Sequence, residues 1–201
     1  LQSNYTENTQ ASVASQISKR ISGSVPLAIY NSKAGLDYYK NIGFKCKKQI
    51  VITSGIDTQH FHPDLESREK TRTSLGIGKH EKLIGIISRI DTIKGHPIFL
   101  EAASILSKKD PSRRFIIVGS GNKQYTHKLR QLANKLNLQN NLIWAGQYAD
   151  TAPIYNAIDI LVSSSYSEGF STVIGEAMSC GVPCVVTDVG DSKKIIGETG
   201  R

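Results

Sequence analysis

The 201-residue chain is 39% hydrophobic and 21% charged, with 25 Lys and Arg against 17 Asp and Glu, a net charge of +8. That composition excludes wholesale disorder and supplies enough apolar side chains for a buried core. No stretch approaches the ~18 consecutive apolar residues of a membrane span.

The only methionine is Met178 and no basic-then-apolar leader opens the chain, so the expectation is a piece of a longer protein without a signal peptide. Roughly the first 20 residues are rich in Ser, Thr, Gln and Asn and suggest a frayed helix. Apolar runs at 27–30 and 49–52 read as strands around a helix at 33–41, a unit too small to stand alone. Residues 1–53 are therefore expected to be the tail of a preceding domain. Residues 54–66 carry Gly, Pro and polar residues without a period and read as a linker. His60 and His62 flank Phe61 there, but no paired Cys or His cluster accompanies them, and no metal site is expected.

From residue 67 onward, helical and strand patterns alternate. Helices are expected at 67–75, 96–107, 124–136, 151–157, 172–180 and 192–196, and strands at 83–87, 115–118, 142–145, 158–162 and 184–187. Strands each separated by one helix are βαβ units, so the fold class is α/β, a doubly wound, mostly parallel, Rossmann-like sheet. Ligands of such sheets bind beyond the carboxyl ends of the strands, which directs attention to the loops there. The cysteines Cys46, Cys180 and Cys184 make no redox or zinc pattern and read as small apolar residues of a reducing compartment.

Three of these loops carry candidate chemistry. After the strand at 83–87, SRIDTIKGH places Arg89 and Lys94 five residues apart at a strand end and helix start, where two cations can converge on a diphosphate. After the strand at 115–118, VGSGN offers Gly119 and Gly121 for close backbone approach to a ligand. The third glycine of a dinucleotide fingerprint is replaced by Gln124 and no acid follows for a ribose, which argues against a nicotinamide dehydrogenase. The third loop delivers Glu168, Gly169, Phe170 and Ser171 to a helix beginning near Thr172, with Ser171 as N-cap. The first-turn N–H groups of Thr172, Val173 and Ile174 then form a phosphate site. Glu176 lies ~7–8 Å further along the axis, in reach of a sugar diol one group from that phosphate. Glu168 reaches the other side. Two acids at this separation also fit a glycosidase pair, but the cations and the helix N-terminus favour a phosphorylated ligand.

Taken in order, these loops resemble the nucleotide-sugar domain of retaining glycosyltransferases of the GT-B fold, family 4. AIYNSKAG and VITSGIDTQHFHPD resemble its interdomain region, with Ser54 in place of the habitual Asn. ISRIDTIKGH is similar to its Arg/Lys loop, and EGFSTVIGE to its two-glutamate motif, followed by GVPCVVTDVGD. The resemblance implies that Arg89 and Lys94 bind the diphosphate, Glu176 the ribose hydroxyls and Glu168 the donor sugar. It further implies that backbone groups of Gly169, Phe170, Ser171, Thr172 and Val173 hold sugar and phosphate, and that the loop bearing Gln147 and Tyr148 meets the base. Donor binding thus falls to residues 67–201, truncated at the C-terminus. The implied reaction is metal-free and cofactor-free transfer of a sugar from a nucleoside-diphosphate sugar to a glycan or lipid-linked acceptor. The acceptor site would lie in a preceding domain, leaving this fragment able to bind nucleotide but inactive alone. The setting implied is bacterial cell-surface polysaccharide synthesis in the cytoplasm.

Charge agrees with an anionic partner. Residues 1–50 hold seven Lys and Arg against two acids, which suits contact with the inner face of an anionic membrane. The cations are scattered singly, without the aromatic-interleaved basic strand of a nucleic-acid binder. Other readings share the architecture: another enzyme, such as a phosphorylase or a nucleotide-sugar epimerase whose acid/base candidate would be His96, and a non-catalytic nucleotide-binding protein.

Overall fold

A computed structural model describes residues 13–199, and the chain divides into two compact units, Leu1–Thr53 and Ser54–Arg201. In the first unit, the expected N-terminal helix is seen as α1, Val13–Ile21, and the residues before it lie outside the described part. Strand β1 (Leu27–Tyr30) leads into α2 (Lys33–Asn41) and returns as β2 (Lys48–Val51), parallel to β1. Ser32 starts α2 as its N-cap, accepting from the Gly35 N–H at 3.0 Å.

The second unit holds α3 (Leu65–Ser74), β3 (Leu83–Ile87), α4 (His96–Lys109), β4 (Arg114–Val118), α5 (Lys123–Lys135), β5 (Leu142–Gly146), α6 (Ala152–Ala157), β6 (Ile160–Ser163), α7 (Thr172–Ser179), β7 (Cys184–Val186) and α8 (Ser192–Ile196). All pairings are parallel, in the order β5-β4-β3-β6-β7. The chain winds outward one way from β3 through β4 to β5, then returns to the other side of β3 as β6. The order thus reverses between β3 and β6, and the crevice at that reversal is where such sheets take ligands.

Residue alternation builds both faces. Leu83 and Ile87 of β3, with Ile116 and Val118 of β4, point to one core with Ile154, Tyr155 and Ile158 from the α6 region and Ala177 from α7. Ile84 and Ile86, with Phe115 and Ile117, point to the other with Phe99, Leu100 and Ala103 of α4 and Leu129 and Ala133 of α5. Burial pushes the Cys180 and Cys184 thiols up to about 11, as fits packing residues.

Strand β6 begins at Ile160 rather than at the expected residue 158. Ile158 ends α6, its N–H bonded to the Ile154 carbonyl, and Asp159 is an anchor rather than a strand residue. Its carboxylate accepts from Leu83 N–H at 2.8 Å and pairs with Arg68 at 2.8 Å and Arg72 at 3.2 Å. Arg72, itself buried, also donates to the carbonyls of Ala157, Gly78 and Glu81. This network fastens α3 to the amino ends of β3 and β6.

Residues 54–64 contain no helix or strand but pack on the second unit. Phe61 meets Tyr155 edge-on at 5.8 Å, its carbonyl accepts from Ser179 Oγ, and Asn156 bonds the backbone of both His62 and Asp64.

Burial alone would raise the Asp159 carboxyl, but the Leu83 N–H and Arg68, with the Arg68 and Lys82 charges, outweigh it and hold it below the usual range. Its contribution is therefore complete above the unfolded value of about 3.9 and lost as pH falls through the lower native value. Asp159→Asn should cost about 2–4 kcal/mol in denaturant unfolding at neutral pH. The gap to the wild-type protein should stay level from about pH 5 to 8 and close below about pH 4.

Candidate functional site

The site forms where the loops after β3, β4 and β6 meet. After β3 the chain runs through Ser88 and Arg89 to Asp91, whose carboxylate caps a short 3-10 turn, Thr92–Lys94, by accepting from Ile93 N–H at 3.0 Å. That bond, with the Arg89 and Lys94 charges, holds the Asp91 carboxyl below its ordinary range. Gly95 follows with φ +65°, and a Cβ there would overlap the Ser164 carbonyl. Ser164 Oγ donates to the Gly95 carbonyl at 2.9 Å, and Tyr166 N–H donates to the Ile93 carbonyl at 2.8 Å. The loops after β3 and β6 are thereby stitched together, and Lys94 is delivered to Glu168.

Lys94 Nζ sits 2.6 Å from Glu168 Oε1, which also accepts from Ser165 Oγ at 2.7 Å. Both ends of the pair are largely shielded, with side-chain exposures of 20% and 11%, where an ion pair is screened less than at the surface. Beneath lies a narrow void of about 20 Å³ reached by Lys94, Glu168, Ser171 and Val173. The segment after β7 braces this loop: Thr187 Oγ1 donates to the Ser165 carbonyl at 2.6 Å, and Asp191 N–H to the Gly169 carbonyl at 3.0 Å.

On the other side of Val173 opens a cleft of about 210 Å³. Arg89, Gly119, Gln147, Tyr148 and Glu176 all line it. Arg89 is exposed at its edge. Gln147 Oε1 accepts from Ser120 Oγ at 2.8 Å, which ties the loops after β4 and β5 together. Glu176 Oε2 accepts from Tyr155 OH at 2.6 Å.

Of the residues singled out from sequence, Lys94, Glu168, Ser171 and Val173 thus gather in one half. Arg89, Gly119, Gln147, Tyr148, Val173 and Glu176 gather in the other. Gly121 borders an adjoining hollow of about 380 Å³ beside Arg89, whereas Gly169, Phe170 and Thr172 line none of these three spaces.

Two expectations are refined. Ser171 stands at the N-cap of α7 with extended backbone, but its hydroxyl takes no bond from the first turn. Gly119, at φ +138°, and Gly121 are required by the chain itself, since a Cβ at either would overlap the Ser88 or Ile90 carbonyl. Sequence reasoning missed Tyr155, Ser165 and Ser120, which hold the carboxylates and the amide. His96 is fully buried at the start of α4 and burial lowers its imidazole to about 4, so it is neutral and shielded from the cleft.

This arrangement offers cations, a helix start and two carboxylates on either side of one residue, suited to a molecule carrying phosphate between two polyhydroxylated groups. Residues 67–201 match the family described as glycosyl transferases group 1, and the chain belongs to that family. It is 29% identical over 149 residues to the lipopolysaccharide core biosynthesis mannosyltransferase LpsB of Rhizobium meliloti (strain 1021), a match covering 73% of this chain and 42% of that protein. It is 33% identical over 145 residues to the D-inositol 3-phosphate glycosyltransferase of Mycobacterium marinum (strain ATCC BAA-535 / M), covering 70% of this chain and 30% of that one. The crystal structure of Anabaena Alr3699/HepE in complex with UDP and glucose aligns with a TM-score of 0.83 at 26% identity, over 91% of this chain and 50% of that one. The chain thus spans half or less of the length of these proteins. Such neighbours carry the GT-B glycosyltransferase fold.

The Lys94–Glu168 pair should be energetically coupled. In a double-mutant cycle of Lys94→Met and Glu168→Gln, unfolding free energies should give a coupling of about 1–3 kcal/mol. A coupling indistinguishable from zero would mean that the pair is too solvated to hold the two loops.

Proposed function

We propose that this chain carries the donor-binding half of a retaining family 4 glycosyltransferase. The sugar would pass from a nucleoside-diphosphate sugar to a glycan or lipid-linked acceptor during cell-surface polysaccharide synthesis. The observation that carries this reading is the meeting of Arg89, Lys94, Glu168 and Glu176 at the reversal point of the sheet, two cations and two carboxylates around the start of α7. The Anabaena protein solved with UDP and glucose supports it.

In this reading the diphosphate lies across the first turn of α7, between Arg89 and Lys94. As the bond from the anomeric carbon to the phosphate oxygen breaks, that oxygen keeps the electron pair, and the acceptor hydroxyl oxygen bonds the anomeric carbon while its proton passes to the departing diphosphate. Arg89, Lys94 and the N–H of Val173 stabilise the growing negative charge, the role a divalent cation would otherwise fill. Glu168 accepts hydroxyl hydrogens of the donor sugar, and its pairing with Lys94 keeps both groups poised before the ligand arrives. Glu176 accepts from the ribose, and the loop of Gln147 and Tyr148 borders the base. The exclusion of His96 from the cleft disfavours an epimerase, which needs an accessible proton carrier there.

The acceptor side and turnover belong to sequence beyond this chain, which by itself binds nucleotide without transferring sugar. The basic residues of the first unit suit work beside an anionic cytoplasmic membrane face.

Calorimetric titration with UDP, GDP and ADP should show preferential binding of one of them. Arg89→Ala and Glu176→Ala should each weaken it about tenfold or more, as expected for loss of a charged hydrogen bond. Unchanged affinity in both variants would refute the donor-site reading, and appreciable transfer by residues 1–201 alone would refute the assignment of the acceptor side elsewhere.

A further inference from the structure

We infer that Tyr155 is a positioning residue for ribose recognition: its hydroxyl fixes the Glu176 carboxylate so that this site distinguishes ribonucleotides from 2′-deoxyribonucleotides. This rests on the proposed role of Glu176 in donor binding.

Glu176 stands on α7 at the end of a side chain with several rotatable bonds, and an unrestrained carboxylate there would sample many orientations. Tyr155 removes that freedom. Its ring is fully buried in the core shared by β3, β4, α6 and α7, and Phe61 packs edge-on against it at 5.8 Å. The hydroxyl, also buried, donates to Glu176 Oε2 at 2.6 Å in the wall of the cleft. That distance is typical of a charge-assisted O–H···O⁻ bond. Among the described residues Glu176 Oε1 takes no protein hydrogen bond, and Glu176 lines the cleft, which leaves that oxygen uncommitted for ligand hydroxyls.

The direction of the bond is fixed by chemistry. An ionised carboxylate only accepts, so the phenol must donate and must keep its proton. Burial, and then the bond to Glu176, push the Tyr155 phenol far above its ordinary value, so it remains a donor at every working pH. Thr151, at the N-cap position of α6, lines the same cleft.

A vicinal diol presents two hydroxyl hydrogens at a fixed separation. A carboxylate locked in one plane accepts both, and a 2′-deoxy sugar leaves one acceptor position unfilled in a half-shielded cleft. Released from Tyr155, the carboxylate can turn toward whichever hydroxyl remains, and the distinction fades.

The test is calorimetry with whichever of UDP, GDP and ADP binds most tightly, beside its 2′-deoxy counterpart, on the wild-type chain, Tyr155→Phe, Glu176→Gln and the double variant. The wild-type chain should prefer the ribonucleotide by about tenfold or more. Tyr155→Phe, which keeps the buried ring, should reduce that preference to about threefold or less with secondary structure intact. In the Glu176→Gln background the same change should alter the ratio no further. Should Tyr155→Phe alone prove unstable, a crystal structure of the wild-type chain with the ribonucleotide decides: ribose hydroxyls on Glu176 with the Tyr155 bond kept supports the inference, and a carboxylate that binds the ribose after turning away from Tyr155 overturns it. If Tyr155→Phe keeps the wild-type preference while Glu176→Gln loses it, Tyr155 only packs and the inference is overturned, although the donor-site reading stands. If the wild-type chain shows no preference, or none of the three nucleotides binds, the role of Glu176 in ribose binding fails and this inference with it.

Discussion

Everything at the site depends on how closely the loops leaving β3, β4 and β6 lie against one another. Gly95 touches the backbone of Ser164, and Gly119 that of Ser88, at separations that no side chain tolerates. The hydrogen bonds that follow, Tyr166 to Ile93 and Ser164 to Gly95, turn two loops from different strands into one surface. Only because of that approach does Lys94 meet Glu168, although the two are 74 residues apart in sequence. A parallel sheet supplies the reason: strands β3 and β6 are neighbours in space, and their carboxyl ends emerge at the same edge.

A second layer of support comes from groups with no direct part in ligand binding. Ser165 shares Glu168 with Lys94, Tyr155 takes one oxygen of Glu176, and Thr187 and Asp191 brace the loop between them. Far from the cleft, Asp159 fixes α3 to the amino ends of β3 and β6 through Arg68 and Arg72. The stability of the sheet and the precision of the site are thus set at opposite ends of the same strands. Asp159 stabilises one end by a shielded charge network, and the other end carries the Lys94–Glu168 pair.

Much of this was legible in the sequence. Unbroken apolar runs bounded by turn residues placed β3 at 83–87, and the alternation with helices implied a parallel, doubly wound sheet. The candidate residues also stood out, because cations and carboxylates at strand ends and helix starts have few structural uses. What remained hidden was whatever depends on partners distant in sequence. Tyr155 sits in a short apolar helix and reads as core, and nothing local betrays that its hydroxyl meets Glu176 21 positions later. Asp159 was absorbed into an apolar run, because its partners Arg68 and Arg72 lie about ninety residues earlier. The apparent linker at 54–66 hid its packing for the same reason, since Phe61 finds Tyr155 only in the folded chain. In the sequence Gly119 and Gly121 read as room for a ligand, whereas the chain's own carbonyls already require them.

The proposed donor site is a single diphosphate cradle made of two strand-end loops and the start of α7. A crystal structure of the chain with its preferred nucleoside diphosphate tests that most directly. The diphosphate should lie against the first turn of α7, within hydrogen-bonding distance of Arg89 and Lys94, with the ribose hydroxyls on Glu176. A nucleotide seated elsewhere, for example in the groove between α5 and β5 where Arg130 stacks on Trp144, would contradict the account.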